Sequence, residues 1–116
     1  MSFIKYNNMP LLYNLDMDTP EELLAILADN VRKRRLEKGL SREALTTLSG
    51  VPTPTIAKFE QKHTISLSSF VALAKALGYA KDIKVLLSQP LFDTMEELET
   101  INKNKNRKKG RNEINK

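Results

Sequence analysis

The stretch Ser41 to Gln61, SREALTTLSGVPTPTIAKFEQ, restricts the fold more than any other part of the chain. Pro52 and Pro54 follow Gly50 almost at once. A proline has no N–H to give, so it fits a helix only in the first turn, where N–H groups have no partner within the helix. Both prolines therefore belong to the first turn of one helix and fix its start. Gly50 supplies the left-handed residue that stops the helix before it. Ser41 caps that earlier helix, with Leu40 and Leu45 placed as a hydrophobic staple. Ala44, Leu45 and Leu48 share one face of the earlier helix; Ile56 and Phe59 share one face of the later. Helices this short are marginal alone in water. Their apolar faces must find other helices.

The flanking sequence supplies them. Thr19-Pro20-Glu21-Glu22 is a helix start, with Thr19 as cap, Pro20 at the first helical position and Glu22 completing a capping box. Leu24, Leu27 and Val31 follow on one face, supported by Leu23 and Leu36, until Gly39. After His63-Thr64, Ser66 caps a fourth helix. Its expected stripe is Leu67, Phe70, Val71, Ala74 and Leu77, closing at Gly78. Residues 80–88 read as a fifth helix with Ile83, Leu86 and Leu87 inward, stopped before Pro90. No segment alternates as a strand. The expected fold class is all-α: five helices over residues 19–89, with flexible arms at both ends. The N-terminal arm, 1–18, carries Phe3, Ile4, Tyr6, Leu11, Leu12, Tyr13 and Leu15 without a sustained period. Over 90–116, Thr94-Met95-Glu96-Glu97 offers another capping box and Met95, Leu98 and Ile101 a weak stripe. The basic tail beyond has no apolar period and should be disordered when free.

Several function classes drop out. The chain has 116 residues and no cysteine, so thiolate zinc sites, disulfide frameworks and Cys nucleophiles are excluded. His63 is the single histidine and lies in a polar loop. No Gly-rich phosphate loop or His/Asp/Glu metal spacing accompanies it, so no catalytic residue, metal ligand or cofactor is expected. The acid pairs Glu21-Glu22 and Glu96-Glu97 stand at helix starts, where they complement the dipole. The start MSFIKYNNMPLLYNL is no secretory signal, and no apolar run nears the ~18 residues of a membrane span. A soluble cytoplasmic protein is expected.

The charge points to a polyanion. The net charge is +5. Residues 20–90 are net +4, residues 91–100 carry four acids, and residues 101–116 carry seven bases and one acid. A basic body with a basic tail suits nucleic acid. The helix after Gly50 leaves Thr53, Pro54, Ala57 and Lys58 off its apolar face. Thr53 can hydrogen-bond a base edge, Pro54 and Ala57 can touch a thymine methyl, and Lys58 can reach guanine or phosphate. Helix, tight turn and a second helix with such a face is the grammar of a helix-turn-helix DNA reader.

NVRKRRLEKGLSREALTTLSGVPTPTIAKFEQ, continued by SLSSFVALAKALGY, resembles the lambda-repressor-like, or XRE-type, helix-turn-helix family over about residues 23–87. The resemblance rests on Arg35, Gly39-Leu40-Ser41, Leu45 with Gly50-Val51, Thr55-Ile56 with Phe59-Glu60, and the closing LAKALG. It implies an ion pair between Arg35 and Glu60 that ties the first helix to the reading helix, leaving Arg32, Lys33 and Arg34 freer for phosphate. It places base contacts on Thr53, Pro54, Ala57 and Lys58. It places phosphate contacts on Arg42, Thr55, Lys62, His63, Ser66 and Ser68. The chain departs from the family at Arg42, where glutamine is usual, at Thr46, where a small alanine is usual, and at Pro54, which thins the polar inventory.

The function implied is a sequence-specific transcriptional regulator, a repressor, reading the major groove of double-stranded DNA with helix 52–61. A homodimer on an inverted-repeat operator is expected, paired through the fifth helix (Ile83, Val85, Leu86) or the arms. Phe59-Glu60 and the short chain also resemble the HipB-like antitoxins. The alternative is an antitoxin that neutralises a kinase-like toxin and regulates its own operon. An interaction module that uses this fold without reading sequence is the other class. Residues 103–111 could add non-specific DNA affinity.

Overall fold

The structure, a computed structural model, describes residues 18–110. Six helices are present among them: α1 (Pro20–Glu37), α2 (Arg42–Ser49), α3 (Thr53–Lys62), α4 (Leu67–Ala76), α5 (Ala80–Val85) and α6 (Met95–Asn104). Most helix starts carry their own signal. The Glu22 N–H donates to Thr19 Oγ1 at 3.1 Å and the Thr19 N–H to Glu22 Oε1 at 2.9 Å, the reciprocal box that opens α1. Ser41 Oγ accepts from the Ala44 N–H and Ser66 Oγ from the Ser69 N–H, starting α2 and α4. Pro52 caps α3 with no side-chain hydrogen bond, and Pro54 falls in its first turn. Gly50 ends α2 with φ 80°, a left-handed conformation that costs an L side chain about 1 kcal/mol or more.

The chain divides into two compact units, one ending at Ile83 and the other beginning at Lys84. In the first, α1 packs on α3, and α2 packs on both α3 and α4. Its core is Ala28, Val31, Leu45, Val51, Ile56, Phe59, Leu73 and Leu77, with Leu40, Ile65 and Phe70 against its edge. Each fully buried large side chain contributes about 1.5–3 kcal/mol relative to exposure. The second unit contains α6, started by Thr94 Oγ1 accepting from the Glu97 N–H.

Several expected details are corrected. On α1 the buried positions are Ala28, Val31 and Arg35; Leu23, Leu24, Leu27 and Leu36 are exposed. The core position goes to the small Ala28 rather than to Leu27, which a count of large apolar residues would choose. Leu48 points outward at 60% exposure, leaving Leu45 as the core residue of α2. Leu67 is exposed beside the α4 cap, and Leu73, absent from the expected stripe, is fully buried. The fifth helix stops at Val85, and Leu86 and Leu87 are exposed rather than inward. Leu87 turns left-handed at φ 65°, which breaks the helical path before Pro90. The acid of the α6 box reaches one residue further back than expected: Glu97 Oε1 accepts from the Asp93 N–H at 2.6 Å. α6 runs to Asn104, into the stretch read as disordered tail. The expected N-terminal arm, apart from Asp18, lies outside the described residues, as do residues 111–116.

Candidate nucleic-acid interface

α3 is held from behind by apolar packing and by one buried charge cluster. Ile56 and Phe59 are fully buried on its inner face. Phe59 meets Phe70 of α4 edge to face, ring centroids 6.0 Å apart and planes at 76°, an arrangement aromatic rings favour. The next residue, Glu60, has a side chain only 1% exposed. Buried carboxylates are costly unless charge and hydrogen bonds compensate. Here Arg35 Nε donates to Glu60 Oε2 at 2.8 Å and Arg35 Nη2 donates to Oε1 at 2.9 Å. Arg35 Nη1 donates to the Leu40 carbonyl at 2.8 Å. Such a planar two-pronged fork is what arginine does and lysine cannot.

A second arginine joins. Arg42 Nε donates to Glu60 Oε1 at 3.0 Å, with the Arg42 side chain 31% exposed. Sequence reasoning gave Arg42 to DNA, chiefly to phosphate, and missed this bond. Arg42 opens α2, and a bond to a buried acid eighteen residues away is not visible in local spacing. The Nη groups of Arg42 take no part in the bond to Glu60, so the side chain both braces α3 and keeps donors to spare.

The cluster sets the protonation of Glu60. Burial works to raise its pKa, but the hydrogen bonds from Arg35 and Arg42, together with their charges, outweigh it and hold the carboxyl below its ordinary value. The hydrogen bond to Glu60 raises Arg35 above its ordinary value, against the opposing effect of burial. A carboxylate whose pKa is lower in the folded than in the unfolded chain adds stability that is complete above the ordinary glutamate pKa, about 4.3. That stability drains as pH falls through the lower folded value. Acid titration of the wild-type protein, followed by urea unfolding, is expected to lose stability below about pH 4.3. Glu60→Gln should lose less over the same interval. Parallel curves for the two proteins would show that Glu60 titrates as a free side chain.

The outer face of α3 is open. Thr53, the first residue of α3, is half-buried, Pro54 and Lys58 are exposed, and Ala57 is half-buried between them. Thr55 is half-buried and Lys62 ends the helix exposed. His63 follows in a left-handed conformation, φ 67°, its N–H donating to the Phe59 carbonyl at 2.9 Å. Ser66 is the α4 cap, and Ser68 is exposed with its hydroxyl 3.3 Å from that of Ser66. On α1, Arg32 is exposed, Lys33 lies 2.9 Å from Asp29, and Arg34 lies 2.8 Å from Glu37. Exposed pairs of this kind are worth about 0–1 kcal/mol and yield readily to a competing anion. One further polar contact belongs to the site: Thr46 Oγ1 and Thr53 Oγ1 lie 2.8 Å apart, joining α2 to the start of α3. The sequence marked Thr46 only as larger than the usual alanine.

Comparison with known proteins agrees with this geometry. The Helix-turn-helix family pattern matches residues 31–83, from the middle of α1 into α5. The chain is 40% identical over 58 residues to "Control protein C.SmaI" of Serratia marcescens, an alignment that spans 49% of this chain and 69% of that protein. No solved structure matches. Among the described residues no helix is long and apolar enough to cross a membrane. The helix–turn–helix built around Gly50, the family pattern laid over it and the likeness to a control protein lead to one assignment: the chain belongs to the XRE-type helix-turn-helix family and is a DNA-binding transcriptional regulator.

Proposed function

We propose that the protein reads a specific double-stranded DNA sequence by laying α3 in the major groove, and that it acts as a cytoplasmic repressor, by binding rather than by catalysis. The observation that carries the reading is the asymmetry of α3. Its inner face is locked by Ile56, Phe59 and Glu60, while Pro54 and Lys58 are exposed and Thr53 and Ala57 half-buried beside them. A reading helix has to be rigid behind and open in front, because ordering it on binding would cost affinity. Thr53 and Lys58 supply the polar contacts to base edges, Pro54 and Ala57 the apolar ones. Arg32, Lys33, Arg42, Thr55, Lys62, His63, Ser66 and Ser68 supply contacts to phosphate, which position the helix without reading sequence. The starts of α2 and α4 add backbone N–H groups suited to the same anion. Two copies on an inverted repeat would double the DNA surface available to so small a reader. The relative's name, a control protein, speaks of regulation, which favours the regulator over the antitoxin reading.

The test is selection of a duplex from a random-sequence pool by the wild-type protein, followed by binding of the enriched duplex to a Thr53→Ala, Lys58→Ala double variant. Affinity is expected to fall about 10- to 100-fold, at the scale of one or two lost base contacts. The thermal midpoint should fall only modestly, since neither side chain belongs to the core and the structural loss is the one hydroxyl contact of Thr53 with Thr46, about 0.5–1.5 kcal/mol. Unchanged affinity would remove α3 from the interface. An enriched pool with no shared sequence would remove specific reading altogether.

A further inference from the structure

Thr46 belongs neither to the apolar core nor to the charge cluster, yet its hydroxyl is committed. A threonine inside a helix commonly returns its hydroxyl to the carbonyl one turn back. Thr47 does so, donating to the Glu43 carbonyl at 3.3 Å. Its neighbour Thr46 reaches across the turn to Thr53 instead, oxygen to oxygen at 2.8 Å, with both side chains half-buried. The α3 cap, Pro52, makes no side-chain hydrogen bond. The pair of hydroxyls is therefore a side-chain tie between α2 and the first turn of α3, placed on a residue that the proposed function sets against DNA.

We propose that Thr46 is a positioning residue for DNA discrimination: its hydroxyl fixes the rotamer and the hydrogen-bonding state of Thr53, and through them the base preference at the position Thr53 reads. The proposal rests on α3 being the reading helix. The side chain of Thr53 has three staggered positions about χ1. Holding its oxygen on Thr46 selects one of them and sets the direction of the γ-methyl. A hydroxyl has one donor and two acceptor sites. One of these is spent on Thr46, so what Thr53 offers a base edge is a defined remainder rather than a freely rotating group. Without the tie, Thr53 can turn its hydroxyl to suit more than one base edge, and discrimination falls even though Thr46 itself touches no base.

The duplex enriched from a random pool by the wild-type protein serves as probe, with each base pair replaced in turn. Thr53→Ala identifies the base pair at which preference is lost. At that pair, Thr46→Ala and Thr46→Val are expected to lose about 2- to 10-fold of discrimination, the worth of one ordinary hydrogen bond. Thr46→Ser, which keeps the hydroxyl, should retain it. Affinity for a duplex of unrelated sequence should not change. Alanine is the best helix former, so Thr46→Ala remains folded even where the valine variant does not. The double variant Thr46→Ala, Thr53→Ala should discriminate no worse than Thr53→Ala alone, an outcome that a general structural role for Thr46 does not give. Wild-type discrimination in Thr46→Ala and Thr46→Val, beside an altered Thr53→Ala, overturns the positioning role alone. Losses that simply add in the double variant overturn it too. A Thr53→Ala protein with every base preference intact overturns the reading of α3, and this inference with it.

Discussion

Glu60→Ala is expected to destabilise the folded protein by about 3–5 kcal/mol. The size follows from what is left behind rather than from what is removed. Glu60 accepts three hydrogen bonds, two from Arg35 and one from Arg42, and its side chain is almost wholly buried. Alanine would leave the Arg35 guanidinium, itself 7% exposed, with the Leu40 carbonyl as its hydrogen-bond partner and only the weaker Coulombic pull of Glu43 in place of its paired carboxylate. Arg42 is more exposed and can turn to water, so the cost concentrates on Arg35. A small domain shifts its midpoint by about 4–8 °C per kcal/mol, so thermal unfolding should fall by about 12 °C or more. Against a total stability of about 5–15 kcal/mol, this would unfold a weak domain outright. A compensated variant separates the causes: Arg35→Met with Glu60→Leu removes both buried charges and should recover most of the loss, because well-packed apolar groups often replace a buried ion pair without penalty. A Glu60→Ala protein that loses less than about 1 kcal/mol would place the cluster in the range of water-screened surface pairs.

How much of this was legible beforehand varies with the physical range of each signal. The caps were legible because Thr19, Ser41, Ser66 and Thr94 each satisfy an N–H within a few residues of themselves. Gly50 and the two prolines were legible for the same reason: they act on their own backbone. The buried face of α1 was not. Apolar periodicity favours the largest side chains, whereas the buried positions include the small Ala28 and Arg35, whose partner lies on another helix. The α5 positions failed differently. Leu86 and Leu87 look like core residues, but the left-handed turn at Leu87 ends the periodic path on which that expectation depends. At the site, the outer face of α3 followed from its own spacing. The pairing of Arg35 with Glu60 came only through family resemblance, since the two lie 25 residues apart. Arg42's bond to the same carboxylate and Thr46's to Thr53 had no local trace, because a hydrogen bond between helices leaves no period in the sequence.

Phe59→Ala should be about as damaging as Glu60→Ala, by a different route, and the difference is measurable. Phe59 is fully buried and makes the edge-to-face contact with Phe70. Truncation to alanine removes the burial and leaves a cavity that α1, α2 and α4 can close only in part, a loss of about 3–5 kcal/mol. Phe59→Leu keeps most of the volume and loses mainly the ring contact, about 1–2 kcal/mol. In the proposed reading Phe59 touches no DNA, so its loss should lower binding only by lowering the folded fraction. At low temperature, where the variant is still folded, its affinity for the enriched duplex should approach that of wild type. Excess duplex should raise its thermal midpoint, since a ligand that binds only the folded state stabilises it by RT ln(1 + [L]/Kd). Thr53→Ala with Lys58→Ala should behave in the opposite way, with a midpoint lowered in the absence of DNA only by the lost Thr46–Thr53 contact, about 0.5–1.5 kcal/mol, and little rise when DNA is added. The two signatures divide α3 into a face that holds and a face that reads. A Phe59→Ala protein that melts like wild type but fails to bind would reverse that division and put the aromatic side of α3, not Thr53 and Lys58, against the DNA.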